Sequence, residues 1–219
     1  MSDRPTLQVN ELGARTAGGL PGPGTRLMVL VHGYGADEHD LAPLATMYDP
    51  DGQFVAVCPR GPVTVPPWGA GWYERDAAGT IDPDQFVASV DLLDATIADQ
   101  CERHGLERSE AVVIGFSQGA AMTLAVTLRT GAHRPAAIAC LSGMLQEVPG
   151  LTYEWAATDL PPVYVQHGAA DPLVTVDRGR HVRDTLTSAG LELAYDEYPM
   201  AHEIRPESIR DLRAWLADR

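Results

Sequence analysis

The stretch that decides the fold is Glu110-Ala-Val-Val-Ile-Gly-Phe-Ser-Gln-Gly-Ala-Ala-Met-Thr-Leu-Ala-Val-Thr127. Residues 111–114 are a short apolar run, β-branched at three positions, as expected of a strand buried on both faces. Gly115-Phe116-Ser117-Gln118-Gly119 follows at once. Residues 120–128 are apolar nearly all round, which predicts a buried helix. Strand, Gly-x-Ser-x-Gly, helix is the context of a sharp turn that lifts a serine above the edge of a sheet. The turn strains the serine backbone. The glycines on either side remove side chains that would collide with the strand and helix packed around it. Ser117 would then stand at a helix N-terminus, where the dipole favours developing negative charge. An ordinary strand-turn-helix connection can also contain a serine. The context on both sides argues instead for a nucleophile.

Upstream, residues 27–31 form a continuous apolar strand that ends in His32-Gly33-Tyr34-Gly35-Ala36-Asp37. A glycine-rich turn here lets a backbone N–H point into a site. The oxyanion donors are therefore expected to be the main-chain N–H groups of Tyr34 and of Gln118, the residue after the nucleophile. A helix capped by Asp37 or Asp40 follows, with Leu41, Leu44 and Tyr48 on one face. His32, Asp37, His39 and Asp40 show no metal-ligand spacing. Residues 54–58 form another buried strand. Residues 59–76 are irregular and rich in Pro and Gly, and carry Trp68, Trp72 and Tyr73. Trp72 is expected to wall a substrate pocket.

Asp82 caps a long helix with Phe86, Val90, Leu93 and Ile97 on its core face, ended by His104-Gly105. After the Ser117 turn, residues 136–141 form a strand with Ser142-Gly143 at its end. Residues 147–160, a loop or short helix with Tyr153 and Trp155, are long enough to shape one side of the site, with Trp155 as a second wall. Residues 162–166 form a strand leading into His167-Gly168 and Asp171-Pro172. An amphipathic helix at 175–189, a strand at 191–198, a loop holding His202 and a last helix at 206–217 complete the chain. At the other end, residues 6–15 hold one or two weak strands. Residues 17–24 are a Gly- and Pro-rich loop that opens no helix, so no dinucleotide fingerprint is expected there. Strands alternating with helices predict a mostly parallel sheet with helices on both faces.

A serine hydroxyl is a poor nucleophile until a neutral His takes its proton, and a carboxylate holds that His in the right tautomer. In this fold the acid and the His follow the serine, each in a loop after a later strand. Asp171 and His202 occupy those positions. His104 and His133 precede any candidate acid. His167 lies four residues from Asp171 on the same loop, and reads as structural. His181 lies inside a helix.

The chain has 219 residues, enough for one large α/β domain over 1–219, and a formal net charge of −14. That charge opposes nucleic acid and anionic membrane surfaces. No run is long enough to span a membrane, and Met1-Ser2-Asp3-Arg4-Pro5 leads into no apolar segment, so no secretory leader is expected. Three widely spaced cysteines, Cys58, Cys101 and Cys140, suggest a reducing compartment and make neither a disulfide framework nor a metal site. The expected setting is the cytoplasm.

These features together resemble the phospholipase/carboxylesterase family of α/β-hydrolases, which includes acyl-protein thioesterases. The resemblance runs from Leu27 to Trp215. It rests on Val31-His32-Gly33-Tyr34-Gly35-Ala36-Asp37 with Asp40-Leu41, and on Pro62-Val63-Thr64 with Trp72-Tyr73. It continues through Gly115-Phe116-Ser117-Gln118-Gly119-Ala120, Leu141-Ser142-Gly143, His167-Gly168 with Asp171-Pro172, and Tyr198-Pro199-Met200 with His202-Glu203. It implies Ser117, Asp171 and His202 as the triad, Tyr34 and Gln118 in the oxyanion hole, no cofactor, and little or no lid; from the spacing of the residues themselves no metal is expected. Ala201 replaces the glycine usual before the histidine, and Glu74-Arg75-Asp76 is an unusual acidic segment that bears on acyl preference. The expected activity is hydrolysis of short- to medium-chain carboxylic esters by a monomer or homodimer, without stable membrane association. Lysophospholipase or acyl-protein thioesterase activity would use the same residues. A catalytically silent hydrolase fold used for binding would usually lack a triad member, and none is missing.

Overall fold

In the computed structural model, which describes residues 5–12 and 24–219, the chain runs β1 (Val9–Leu12), β2 (Arg26–Val31), α1 (Ala42–Tyr48), β3 (Phe54–Pro59), β4 (Val63–Val65) and β5 (Gly69–Gly71). It continues through α2 (Pro83–His104), β6 (Ala111–Phe116), α3 (Gln118–Leu128), β7 (Ala137–Leu141), β8 (Val163–Gly168), α4 (Val176–Ser188), β9 (Leu193–Tyr198) and α5 (Pro206–Leu216). Seven strands form one sheet in the order β1-β3-β2-β6-β7-β8-β9. All neighbours in it are parallel except β1, which runs antiparallel to β3 at the edge. The strands are apolar on both faces because both are covered. Leu27, Val29, Val31, Val113 and Val165 pack with Phe86, Val90, Leu93 and Ile97 of α2, with α3, and with Val182 and Leu186 of α4. The alternate residues Met28, Leu30, Val112, Ile114 and Tyr164 pack with Tyr48 of α1 and with Ile209, Leu212 and Leu216 of α5. The two-residue period of a strand thus sends successive side chains into two separate cores.

The strand order locates the site. From β2 the chain moves outward to β3. It then returns to β6 on the other side of β2 and proceeds outward through β7, β8 and β9. The order therefore reverses between β2 and β6. The two strands stay paired to their C-terminal ends, but the connections that leave them lead to helices on opposite faces, α1 and α3, and so leave a crevice, where open α/β sheets bind ligands. His32 and Gly33 follow β2 at this crevice, and Ser117 follows β6.

Most elements match the expectation from sequence. Asp82 Oδ1 accepts from the N–H groups of Asp84 (2.9 Å) and Gln85 (3.4 Å) at the start of α2, and Gly105 ends that helix at φ 66°. Two expectations are corrected. Neither Asp37 nor Asp40 caps α1. Asp37 Oδ1 instead closes a turn on the His39 N–H (2.8 Å), and Leu41 precedes the helix without a side-chain cap. Residues 59–76 are not wholly irregular: β4 and β5 form an antiparallel pair. Their three-residue strands are too short to leave a periodic pattern. Residues 147–160, expected as a loop or short helix, are a loop. Of the weak N-terminal strands, Val9–Leu12 is present as β1, while residues 13–15 and the loop at 17–23 lie outside the described residues. No helix among the described residues is long and apolar enough to cross a membrane.

Candidate active site

Ser117 sits between β6 and α3 with φ 56° and ψ −117°, a region that non-glycine residues occupy only when the surroundings enforce it. Those surroundings are close-packed backbone. A Cβ on Gly115 would overlap the Gly119 carbonyl, and one on Gly119 would overlap the Val31 carbonyl. β6 can therefore turn into α3 beside β2 only if both positions are glycine. The Ser117 N–H donates to the Leu141 carbonyl (2.9 Å), which ties the turn to the end of β7. Ser142, next along, also has positive φ, at 48°.

Three side chains from three loops meet here. Ser117 Oγ lies 2.9 Å from His202 Nε2, and His202 Nδ1 lies 2.6 Å from Asp171 Oδ2. Asp171 Oδ1 accepts from the N–H groups of Leu173 (2.9 Å) and Val174 (2.8 Å). A carboxylate held this way accepts from Nδ1–H, so Nε2 is left as the acceptor for the serine hydroxyl. The Phe116 ring lies 4.8 Å from the imidazole and limits its rotation from the other side. His167, read from sequence as structural, is fully buried behind the acid. Its Nε2 is 2.7 Å from the Val174 carbonyl oxygen and 3.6 Å from Asp171 Oδ2.

The oxyanion candidates lie on the opposite wall. Gly33 approaches Ser117 so closely that a Cβ there would be 3.4 Å from the serine Cβ. Tyr34 follows it, with a side chain 55 % exposed. Among the described residues, neither the Tyr34 nor the Gln118 main-chain N–H has a hydrogen-bond partner. His32 does not point at a ligand. Its Nε2 accepts from the Gly61 N–H (3.0 Å), and its Nδ1 lies 2.7 Å from the Gly33 carbonyl oxygen. Burial holds its pKa below the ordinary histidine value, so it is a neutral strut. Among the described residues no group of three or more His, Cys, Asp or Glu is arranged to hold a metal ion.

Both tryptophans expected to wall the pocket are placed elsewhere. Trp72 has 0 % exposure and no surface to offer a substrate. Its indole is driven into the core because it packs 5.3 Å from the His32 ring and donates its N–H to the His32 carbonyl (2.9 Å). Trp155 stacks on Tyr153 (ring centroids 5.0 Å apart) and lines a surface cavity of about 460 Å³ with Asp184, Thr185 and Ser188 of α4. The reason is tethering. The Thr130 N–H donates to the Thr152 carbonyl and the Glu154 N–H to the Leu128 carbonyl, both 2.8 Å, which fixes this segment at the C-terminal end of α3. Ser117 is at the other end of that helix, roughly 16 Å away at about 1.5 Å of rise per residue.

Two features of the site left no signal in the sequence. Glu38, buried after the loop that follows β2, pairs with Arg60 at 2.7 Å, and Arg60 also donates to the Trp68 carbonyl (2.9 Å). The Gln118 side chain accepts from the Trp72 N–H (2.7 Å) and donates to the Tyr73 carbonyl (2.7 Å). Both depend on distant segments meeting in space, and no local pattern marks them.

The sheet order, the strained serine and the crevice define an α/β-hydrolase. Residues 21–218 match the phospholipase/carboxylesterase family, and the chain belongs to it. It is 26 % identical over 172 residues to acyl-protein thioesterase 1 of Debaryomyces hansenii, covering 77 % of this chain and 74 % of that one. It is 27 % identical over 221 residues to acyl-protein thioesterase 1 of Mycosarcoma maydis, covering 88 % and 90 %. Among solved structures it is similar to esterase PE8, at TM-score 0.82 and 26 % identity, over 97 % of this chain and 99 % of that one. A carboxylesterase from Mesorhizobium loti shares the fold at TM-score 0.80 and 24 % identity, over 100 % and 98 %.

Proposed function

We propose that this hydrolase is a serine carboxylesterase acting on short- to medium-chain carboxylic esters through a Ser117 acyl-enzyme. The observation that carries the reading is the unbroken chain from Ser117 Oγ to His202 Nε2 (2.9 Å) and from His202 Nδ1 to Asp171 Oδ2 (2.6 Å) at the switch point of the sheet. His202 takes the hydroxyl proton as Ser117 Oγ attacks the ester carbonyl. The oxyanion that forms accepts from the Tyr34 and Gln118 N–H groups, aided by the N-terminal dipole of α3. The intermediate collapses, His202 gives its proton to the departing alkoxide, and the alcohol leaves. Water then repeats the sequence on the acyl-serine. His202 takes a water proton and returns it to Ser117 Oγ, and the carboxylic acid is released. Asp171 keeps the imidazole oriented and stabilises the imidazolium. No step needs a cofactor. Residues 1–219 act as one domain, and the three cysteines, buried and unpaired, fit a cytoplasmic setting.

The names of the fungal relatives, acyl-protein thioesterase 1, favour a second reading, hydrolysis of acyl groups from proteins, and the same residues would serve a lysophospholipase acting on long chains. One experiment covers both. Turnover of p-nitrophenyl esters from acetate to palmitate is measured for the parent and for Ser117→Ala. The expected result is a peak at short chains, and a loss in kcat of roughly six orders of magnitude in the variant, as in triad deletions elsewhere. A rise toward palmitate would replace the first reading with the second. Turnover by Ser117→Ala within tenfold of the parent would end both.

A further inference from the structure

We propose that Trp72 is a positioning residue that joins the two oxyanion donors, so that the Tyr34 and Gln118 N–H groups keep one fixed spacing. The inference rests on the esterase reading above and deepens it. The two donors belong to separate parts of the chain, the loop after β2 and the first turn of α3. A hole made from two segments stabilises an oxyanion only if both N–H groups reach the same point, and a shift of about 1 Å in such a site costs on the order of a hundredfold in rate. Something must hold the segments together, and the hydrogen bonds converge on Trp72.

Its indole N–H donates to the His32 carbonyl at 2.9 Å, two residues before Tyr34. Its main-chain N–H donates to Gln118 Oε1 at 2.7 Å, on the same residue that supplies the second donor. The other half of that carboxamide donates to the Tyr73 carbonyl at 2.7 Å, so Gln118 grips the peptide on both sides of the Trp72 carbonyl carbon. The Trp72 carbonyl accepts from Ser89 Oγ at 2.5 Å, which anchors the joint to α2. The strand leading into Trp72 is pressed onto the same loop. The Gly35 N–H donates to the Ala70 carbonyl (2.8 Å), the Ala70 N–H donates to the Ala36 carbonyl (2.7 Å), and a Cβ on Gly71 would come within 2.9 Å of the Tyr34 ring.

Core filling alone does not account for this residue. With 0 % exposure, an aromatic hydrocarbon would bury comparable apolar area at lower polar cost. The indole nitrogen adds a directed hydrogen bond to a carbonyl at the crevice. Because Trp72 does not face the reacting atoms, it acts through the two donors.

The test uses the full chain with Ser117→Ala, Trp72→Phe, Gln118→Met and the double variant of the last two. Readouts are kcat and KM on p-nitrophenyl butyrate, and inhibition by an alkyl trifluoromethyl ketone, whose serine adduct places a negative oxygen in the hole. Trp72→Phe keeps a ring but loses the N–H, and Gln118→Met loses both carboxamide bonds but keeps its own main-chain N–H. Each is expected to lower kcat about 10- to 100-fold with KM within threefold. Ketone affinity should weaken in proportion to kcat/KM, and the double variant should lose little more than the worse single one. A general packing defect would not make ketone affinity follow kcat/KM while KM holds. Parent-like kcat in Trp72→Phe and Gln118→Met, with Ser117→Ala inactive, would overturn the positioning role and leave the esterase reading standing. If Trp72→Phe does not fold, Gln118→Met decides the matter alone. Persistent turnover in Ser117→Ala would instead overturn the esterase reading itself.

Discussion

The α-carbon of Gly119 lies against the carbonyl oxygen of Val31, with no room between them for a side chain. Through this contact the first turn of α3 reaches the end of β2, and Ser117 comes beside the Gly33-Tyr34 loop. Gly119→Ala is expected to destabilise the protein by about 1–3 kcal/mol, the usual range for overpacking against an unyielding neighbour. It should also slow ester turnover at least tenfold, because backbone on both walls of the crevice must move. Thermal unfolding and steady-state kinetics on the same preparation check both. Parent-like melting and turnover together would mean that the contact relaxes freely.

Glu38 and Arg60 predict an asymmetry. The carboxylate side chain is 6 % exposed and the guanidinium 27 %. Removing Arg60 leaves a buried carboxylate whose remaining partners are the neutral Gln8 amide (2.8 Å) and the His39 ring (3.6 Å), whereas removing Glu38 leaves a cation that still reaches water and Asp37 (3.9 Å). Arg60→Met should therefore cost about 3–5 kcal/mol, the range for orphaning a buried charge, and Glu38→Gln clearly less. Urea unfolding of the two variants measures the difference. Equal losses would show that Glu38 is solvated once its partner is gone.

His32 should give the protein an acid-sensitive component. Burial holds its pKa in the folded chain below the ordinary histidine value of about 6.5. The unfolded chain therefore takes up the proton first as pH falls. The stability this group supplies is complete above about pH 6.5 and is lost as pH drops below that toward the folded value. The geometry acts in the same direction as burial, because the Gly61 N–H faces Nε2 at 3.0 Å and a protonated ring would set two donors against each other. His32→Gln should be less stable than the parent at pH 8 but should lose less on going to pH 5. Denaturant unfolding across that range tests it, with the other histidines unchanged in both proteins. Parallel curves for parent and variant would remove His32 as the titrating group.

The legible parts of this protein are those where chemistry repeats locally. Apolar runs such as Met28 to Val31 and Val112 to Ile114 mark strands covered on both faces. Phe86, Val90, Leu93 and Ile97 mark the buried side of α2. Asp171 and His202, each just past a late strand, could be picked out from position alone, because a strand end at the crevice is where a side chain can reach Ser117. The places of Trp72 and Trp155 are not legible for one reason: an aromatic in a loop carries the same composition whether it lines a substrate pocket or packs elsewhere.

What the sequence determined by itself was the alternation of strands and helices, the glycine-flanked serine and the residues able to serve it. Each of these follows from periodicity, backbone sterics or side-chain chemistry within a few residues. Only the tertiary structure decided that β2 and β6 lie side by side at the switch point. It also decided that Glu38 finds Arg60, and that Trp72 and Gln118 tie the two walls of the crevice together. These pairings link segments 22 to 84 residues apart. Their partners are selected by how the sheet and helices pack, and no local run of sequence encodes that.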